Sequence, residues 1–250
     1  MKIVIPESED SIVKEAASTI EDISLVPAKD LNEAANLVKV GAVDTMISGF
    51  NYSTRDVILC FKENFKMTSE FFSSCFICSK NGQNIAIADG GVNKSPTNEQ
   101  LYCIVEDTAR TYESCFGNQP KIAMLSYSTN GSGGKNPDLE KIYFVISKIR
   151  EAHPEWLIDG EMQLDTAMNS QISEKKFPNS MIHGHANILI VPDLNSGNIL
   201  YKSLEHLGGW QVAGPIVQGF EYPLADLSRG STVDNIKYTL EIIEKLYGKR

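Results

Sequence analysis

Long apolar runs are missing from this chain. None of its hydrophobic stretches approaches the roughly 20 residues that cross a bilayer, so no membrane partner is expected. The opening residues, MKIVIPESED, lack the basic start and apolar centre of a secretory signal, so the expected location is the cytoplasm. Evenly paired cysteines are missing too. The 5 present, Cys60, Cys75, Cys78, Cys103 and Cys115, are scattered. Cys75 and Cys78 form a CxxC, but it lies in the apolar run SSCFICS and no second pair completes a zinc site. They read as reduced, buried strand cysteines. Histidine is scarce. His183 and His185 form an HxH without a neighbouring acid or cysteine at ligand spacing, so it reads as a polar lead-in to a strand, and no metal is expected. Net positive charge is absent. A balance of −9 argues against nucleic acid as a partner. Any anionic ligand must therefore be captured by a local positive site. Two nucleotide signatures are missing as well. No GxGxxG follows a strand, and Lys135, at the end of a glycine-rich loop, precedes Asn136 rather than the Ser or Thr of a Walker loop.

What remains is an ordinary globular composition, 42% hydrophobic and 22% charged over 250 residues, enough for one large domain or two modest ones. Short apolar strands at residues 2–6, 23–27 and 43–48 alternate with helical patterns at 12–20, 32–40 and 54–64. Ser8 or Ser11 is the expected cap of the first helix, and Asp30 or Asn32 of the second. This alternation predicts a parallel sheet covered by helices. The pattern changes near residue 66. Strands at 71–78 and 84–88 flank Asn81-Gly82, a hairpin signal. Helices follow from Thr97 and from Asp138, with strands at 122–126, 187–191 and 212–219 and a last helix over 233–247.

Four polar loops follow apolar strands, where ligands gather in open α/β sheets. The first is SYSTNGSGGK, residues 126–135, whose small residues let backbone N–H groups approach a phosphate. The second, IDGEMQLD at 158–165, clusters Asp159, Glu161 and Asp165. These acids read as a base, a metal holder or a solvated helix start, and composition favours the last. The third, VPDLNSGNILYK at 191–202, offers an Asn or Ser as cap for a helix starting near Asn198. The fourth, DLSRGSTVDN at 226–235, puts Ser228 and the planar fork of Arg229 ahead of a helix N-terminus. Free N–H groups and the helix dipole favour anions there. A salt bridge between Arg229 and Asp226 is the competing reading.

KIAMLSYSTNGSGG (121–134), IDGEMQLDTA (158–167), ANILIVPDLNSGNILYK (186–202), GPIVQG (214–219) and DLSRGS (226–231) stand in the order seen in the phosphate acetyltransferase/phosphate butyryltransferase family, and the chain resembles it over roughly residues 40–245. The resemblance implies two α/β domains with mostly parallel sheets, similar to the isocitrate/isopropylmalate dehydrogenase type, with the active site in the interdomain cleft. The implied domains are residues 1–66 plus 221–250, and an inserted 67–220. A homodimer is implied, as is reversible acyl transfer between CoA and phosphate, with CoA as substrate and no tightly bound cofactor. The family's loop carries over to Ser228 and Arg229 as catalytic residues. Asn235 stands where the family has its aspartate base, and Leu59 where it has an arginine. A second arginine belongs to a segment missing here between the start and residue 34, and a lysine common in the glycine-rich loop is replaced by Asn130. The candidate substrate-binding residues are Ser126, Ser128, Thr129, Gly131 and Ser132 in the first loop, Asp193, Asn195 and Asn198 in the third, and Gly230 beside Arg229. The departures leave two functions to separate: an acyltransferase, or a catalytically impaired relative that binds CoA, acyl phosphate or a partner protein.

Overall fold

The computed structural model describes residues 1–248; Lys249 and Arg250 lie outside them. The chain divides into two compact units, Met1–Phe72 with Gln211–Arg250, and Ser73–Trp210.

In the first unit, β1 (Lys2–Val4), β2 (Ser24–Val26) and β3 (Thr45–Ser48) pair in parallel, with β1 in the middle. Their connections are α1 (Ser11–Ser18) and α2 (Leu31–Lys39), and α3 (Thr54–Asn64) follows β3. The cap of α1 is Asp10, which accepts from the Ile12 N–H, rather than Ser8 or Ser11. A carboxylate caps as well as a hydroxyl, so spacing alone does not choose between them. Residues 67–72 and 211–220 belong to this unit: Met67 bridges Phe220, and Thr68 N–H donates to the Gly219 carbonyl at 2.8 Å. The sheet continues through two more strands, β9 (Gln211–Gln218) and β10 (Leu224–Asp226). β10 is a strand that periodicity does not reveal, because three residues are too few to show alternation. It runs parallel to β3 and antiparallel to β9. The last helix, α9 (Val233–Tyr247), packs on β9 and α1. Val4, Ala34, Val38, Met46, Val57, Phe61 and Leu224 lie in one buried cluster.

In the second unit, β4 (Ser73–Lys80) and β5 (Gln83–Ala88) form the hairpin expected from Asn81-Gly82. Both turn residues have positive φ, 53° and 79°, as that turn requires. β5 pairs in parallel with β8 (Ile188–Ile190), β8 with β6 (Lys121–Leu125), and β6 with β7 (Leu157–Met162). The main helices are α4 (Asn98–Phe116), α5 (Pro137–Ala152) and α8 (Leu194–His206); α6 (Leu164–Met168) and α7 (Ser170–Lys176) are short. Cys75 and Cys78 are buried in β4, and burial pushes both thiols well up. That suits apolar packing and not redox chemistry. β7 runs on through Asp159, Gly160 and Glu161, so of the three acids only Asp165, exposed in the first turn of α6, sits at a solvated helix start. Asp159 and Glu161 are buried in the strand. Each has hydrogen-bond donors to hold it, and that compensation is invisible to a composition count.

Candidate functional site

The loop after β6 is built around Glu161. Its Oε1 accepts from the Ser128 hydroxyl at 2.7 Å and the Gly131 N–H at 2.8 Å, and its Oε2 accepts from the Tyr143 hydroxyl at 2.5 Å. Burial pushes the Glu161 carboxyl up, but these bonds outweigh it and hold the group below its ordinary range. The Tyr143 phenol is pushed up to about 12 by its bond to that carboxylate. Further bonds close the loop. Asn130 N–H donates to the Glu161 carbonyl, Gly133 N–H to Ser128 Oγ at 2.7 Å, and Thr129 N–H to Ser132 Oγ at 3.0 Å. Gln163 N–H donates to Thr129 Oγ1 at 2.9 Å.

So Ser128, Thr129 and Ser132 direct their hydroxyls into the loop, and Ser128 and Thr129 are buried. Gly131 contributes an N–H to the same network and has φ 84°, a conformation that suits glycine. Ser126 instead lines a cavity of about 280 Å³ with Ser95, Tyr127, Lys141, Pro192 and Asp193 among others. The cavity collects the starts of α4, α5 and α8, where helix dipoles favour negative charge. Lys141 adds a cation, placed by a 2.9 Å bond from Nζ to the Pro96 carbonyl. Lys141 carries no signal in the sequence, and Glu161 shows there only as one of three clustered acids, without the donors that hold it. Both sit at one end of a helix or strand whose partner lies far along the chain.

Asp193 is the cap of α8, accepting from the Ser196 N–H at 2.9 Å. The helix therefore starts at Leu194, four residues before the expected point, and neither Asn nor Ser caps it. Asn195 is exposed in its first turn, and Asn198 lies beside the Tyr201 hydroxyl.

In the first unit, the loop after β10 stands open. Ser228, Arg229 and Gly230 are exposed. Gly230 N–H donates to Ser228 Oγ at 3.2 Å, and Ser228 N–H donates to Ser231 Oγ at 3.1 Å. Among the described residues Arg229 has no ion-pair partner, and the bridge to Asp226 of the competing reading does not form. Asp226 is buried in β10. Asn235 occupies the third position of α9 and completes a capping box. Its Oδ1 accepts from the Thr232 N–H at 3.0 Å and from the Thr232 hydroxyl at 2.7 Å, and its Nδ2 donates to the Val212 carbonyl at 3.1 Å. Asp234, one residue earlier, is exposed. Leu59 is 43% exposed on α3, so the side chain standing where the family has an arginine faces solvent and not the core.

In the second unit the N–H groups from Ser128 to Gly134 are all donated within the loop or to Glu161, so they are not the open phosphate cradle that the small residues suggested, whereas the first unit sets an exposed serine and arginine ahead of a helix. These features define an α/β protein with a closed polar loop in one unit and an open Ser-Arg loop before a helix in the other. The profile of the phosphate acetyl/butaryl transferase family matches residues 24–243. The chain belongs to that family. The phosphate acetyltransferase of Corynebacterium glutamicum is 36% identical over 238 residues, covering 94% of this chain and 70% of that protein. The phosphate acetyltransferase of Bacillus subtilis is 37% identical, covering 83% of this chain and 64% of that protein. The chain thus spans about two thirds of their length. A phosphotransacetylase structure from Streptococcus pyogenes superposes with a TM-score of 0.87 at 29% identity, covering 100% of this chain and 94% of that one. A 4-hydroxythreonine-4-phosphate dehydrogenase from Klebsiella pneumoniae, 10% identical with a TM-score of 0.57 and covering 98% and 90%, shares the fold alone.

Proposed function

We propose that this protein transfers a short acyl group reversibly between CoA and inorganic phosphate. The observation that carries the reading is Arg229, exposed, without an ion-pair partner among the described residues, and next to a helix start, in a chain of this family. In the direction of thioester synthesis, the CoA sulfur attacks the carbonyl carbon of an acyl phosphate. The C–S bond forms, the bond from carbon to the bridging oxygen breaks, and phosphate leaves with that oxygen. Arg229 neutralises the departing phosphate with a fork that matches its geometry. Ser228 supplies a hydroxyl to the carbonyl oxygen as it gains charge. Gly230 follows as part of the same turn.

The second unit's loops hold the CoA. Ser126 presents itself to the cavity that Lys141 also lines, the closed turn from Ser128 to Ser132 holds that wall in place, and Asp193, Asn195 and Asn198 offer polar groups. CoA is a substrate, and no resident cofactor enters the chemistry. Asn235 cannot take the thiol proton. The released phosphate, whose oxygens are basic near neutrality, is the acceptor in this reading. A general base is worth about 10²–10⁴-fold, so the substitution slows the reaction without abolishing it. The same reading includes a homodimer, which sedimentation at several concentrations checks.

The capping role of Asn235 favours a second reading, a relative that binds CoA or acyl phosphate without turnover. Arsenate separates the two. Arsenate-dependent loss of a short acyl-CoA supports the transferase. Heat on titrating CoA, with no acyl-CoA consumed across short chain lengths, supports the binder. Neither signal from a folded protein defeats both.

A further inference from the structure

Two acids lie buried beneath the Ser228–Arg229 loop. Glu7, in the turn after β1, is fully engaged. Its Oε1 accepts from the Gly49 N–H at 3.0 Å and the Asn51 N–H at 3.2 Å, and the Ser48 hydroxyl donates to its carboxylate at 3.1 Å. It thereby ties the β3 end to the chain start. Asp226, the last residue of β10, is 1% exposed, and its Oδ1 is buried with no hydrogen-bond partner. That oxygen lies against Gly49, where a Cβ would collide with it. One residue on, the Leu227 N–H donates to the Ser48 carbonyl at 2.5 Å. The β3 end, Glu7 and the base of the loop therefore form one packed block.

The neighbours of Asp226 offer little to hold a charge. β3 (Thr-Met-Ile-Ser) and β9 (Gln-Val-Ala-Gly-Pro-Ile-Val-Gln) bring no ionisable side chain. From α3 comes the Thr54 hydroxyl, while Arg55 and Asp56 are exposed. The buried face of α9 is apolar apart from Thr239 and Tyr238. From the β1 turn comes Glu7, with Tyr52 near it, while Glu9 is exposed. Arg229 itself faces solvent. An ionised Asp226 would thus be a buried, unpaired charge facing a second negative charge, which is costly.

We propose that Asp226 is a proton-dependent positioning residue: as a neutral acid it seats the Ser228–Arg229 loop against Gly49, and on ionising beside Glu7 it loosens that loop. Asp226 does not touch substrate. Burial pushes its carboxyl up to about 7 against a pull down from the Thr54 hydroxyl, and the Glu7 charge adds a smaller push upward, so the change falls near neutrality. The functional consequence rests on the anion-holding role proposed for Arg229, but the structural switch does not.

Amide hydrogen exchange at Leu227, Ser228, Gly230 and Ser231 tests it, corrected for the intrinsic pH dependence, at steps from pH 6 to 8. The wild type should lose protection by roughly an order of magnitude across this range, the factor for one pKa unit of differential coupling. Asp226→Asn, of the same shape and never charged, should lose none. Glu7→Gln should move the wild-type transition to lower pH, and this variant decides the matter if Asp226→Asn does not fold. Equal loss in Asp226→Asn, no loss in the wild type, or an unmoved midpoint in Glu7→Gln would each overturn the proposal. Sulfate, whose charge is constant over these pH values, is titrated in parallel. If protection changes as expected while sulfate binds at no pH, the anion role of the loop fails and the switch stands.

Discussion

The loop after β6 and the loop after β10 look alike on paper, since each is short, polar and placed at a strand's C-terminal end. They are built in opposite ways. The first is closed on itself: Glu161 gathers Ser128, Gly131 and Tyr143, and few side-chain groups remain for a ligand. The second keeps Ser228 and Arg229 exposed and has its acid beneath it, at Asp226, rather than inside it. The difference separates two jobs. The closed loop spends its own N–H groups on rigidity, which suits a supporting wall, whereas an exposed cation without an ion-pair partner among the described residues suits the anion role proposed for Arg229.

Removing the organiser of the closed loop should have the greatest consequence. Glu161→Ala leaves the buried Ser128 hydroxyl and the Gly131 N–H without their acceptor, and should cost about 3 kcal/mol of stability, read from urea unfolding. Glu161→Gln, which keeps one acceptor, should cost less. Equal stability of wild type and alanine variant would mean that the loop is held by something other than Glu161.

Arg229→Ala should do the reverse. Stability should stay within about 0.5 kcal/mol, as for an exposed side chain, while phosphate affinity falls by roughly 10–100-fold. A loss of stability without a loss of affinity would make the two loops alike after all.

The two acids should also pull stability in opposite directions with pH. Asp226 binds its proton more tightly folded than unfolded. Its contribution is complete below its ordinary value of 3.8 and is lost as pH rises towards about 7. Glu161 releases its proton more readily folded. Its contribution is complete above its ordinary value of 4.5 and is lost as pH falls through the lowered one. Urea midpoints followed from pH 3 to 8 should lose the upper slope in Asp226→Asn alone; an unchanged slope would place its source elsewhere.

Asn235 gives the smallest effect. Asn235→Ala breaks the capping box and should cost about 1 kcal/mol. Asn235→Asp restores a carboxylate but loses the donor to the Val212 carbonyl, so it should cost about as much, and because the Thr232 cap holds the side-chain oxygen at this position, the carboxylate should not recover the base's share of turnover. A clear gain would show that the position acts as a base once charged.

Much of this was legible from residues. Asn81-Gly82 announces its hairpin, and α3 and α9 begin and end where capping residues and apolar spacing put them. The polar loops after strands were visible because glycine, serine and asparagine cluster there. The inner wiring was not. Glu161 lies 33 residues from Ser128, and Glu7 lies 41 from Ser48, so no local pattern links them. Buried acids in a strand resemble solvated ones until their donors are known. Asn235 was noticed as a missing base, but its bond to Val212 depends on where β9 passes under α9.

The central claim is acyl transfer between CoA and phosphate with Arg229 at the phosphate. It is tested most directly by thioester formation from acetyl phosphate and CoA, with wild type and Arg229→Ala side by side. The expected result is turnover by the wild type and a loss of at least roughly tenfold in the variant, with unfolding unchanged. No thioester from a folded wild type that binds CoA, or equal rates in the two proteins, would contradict it.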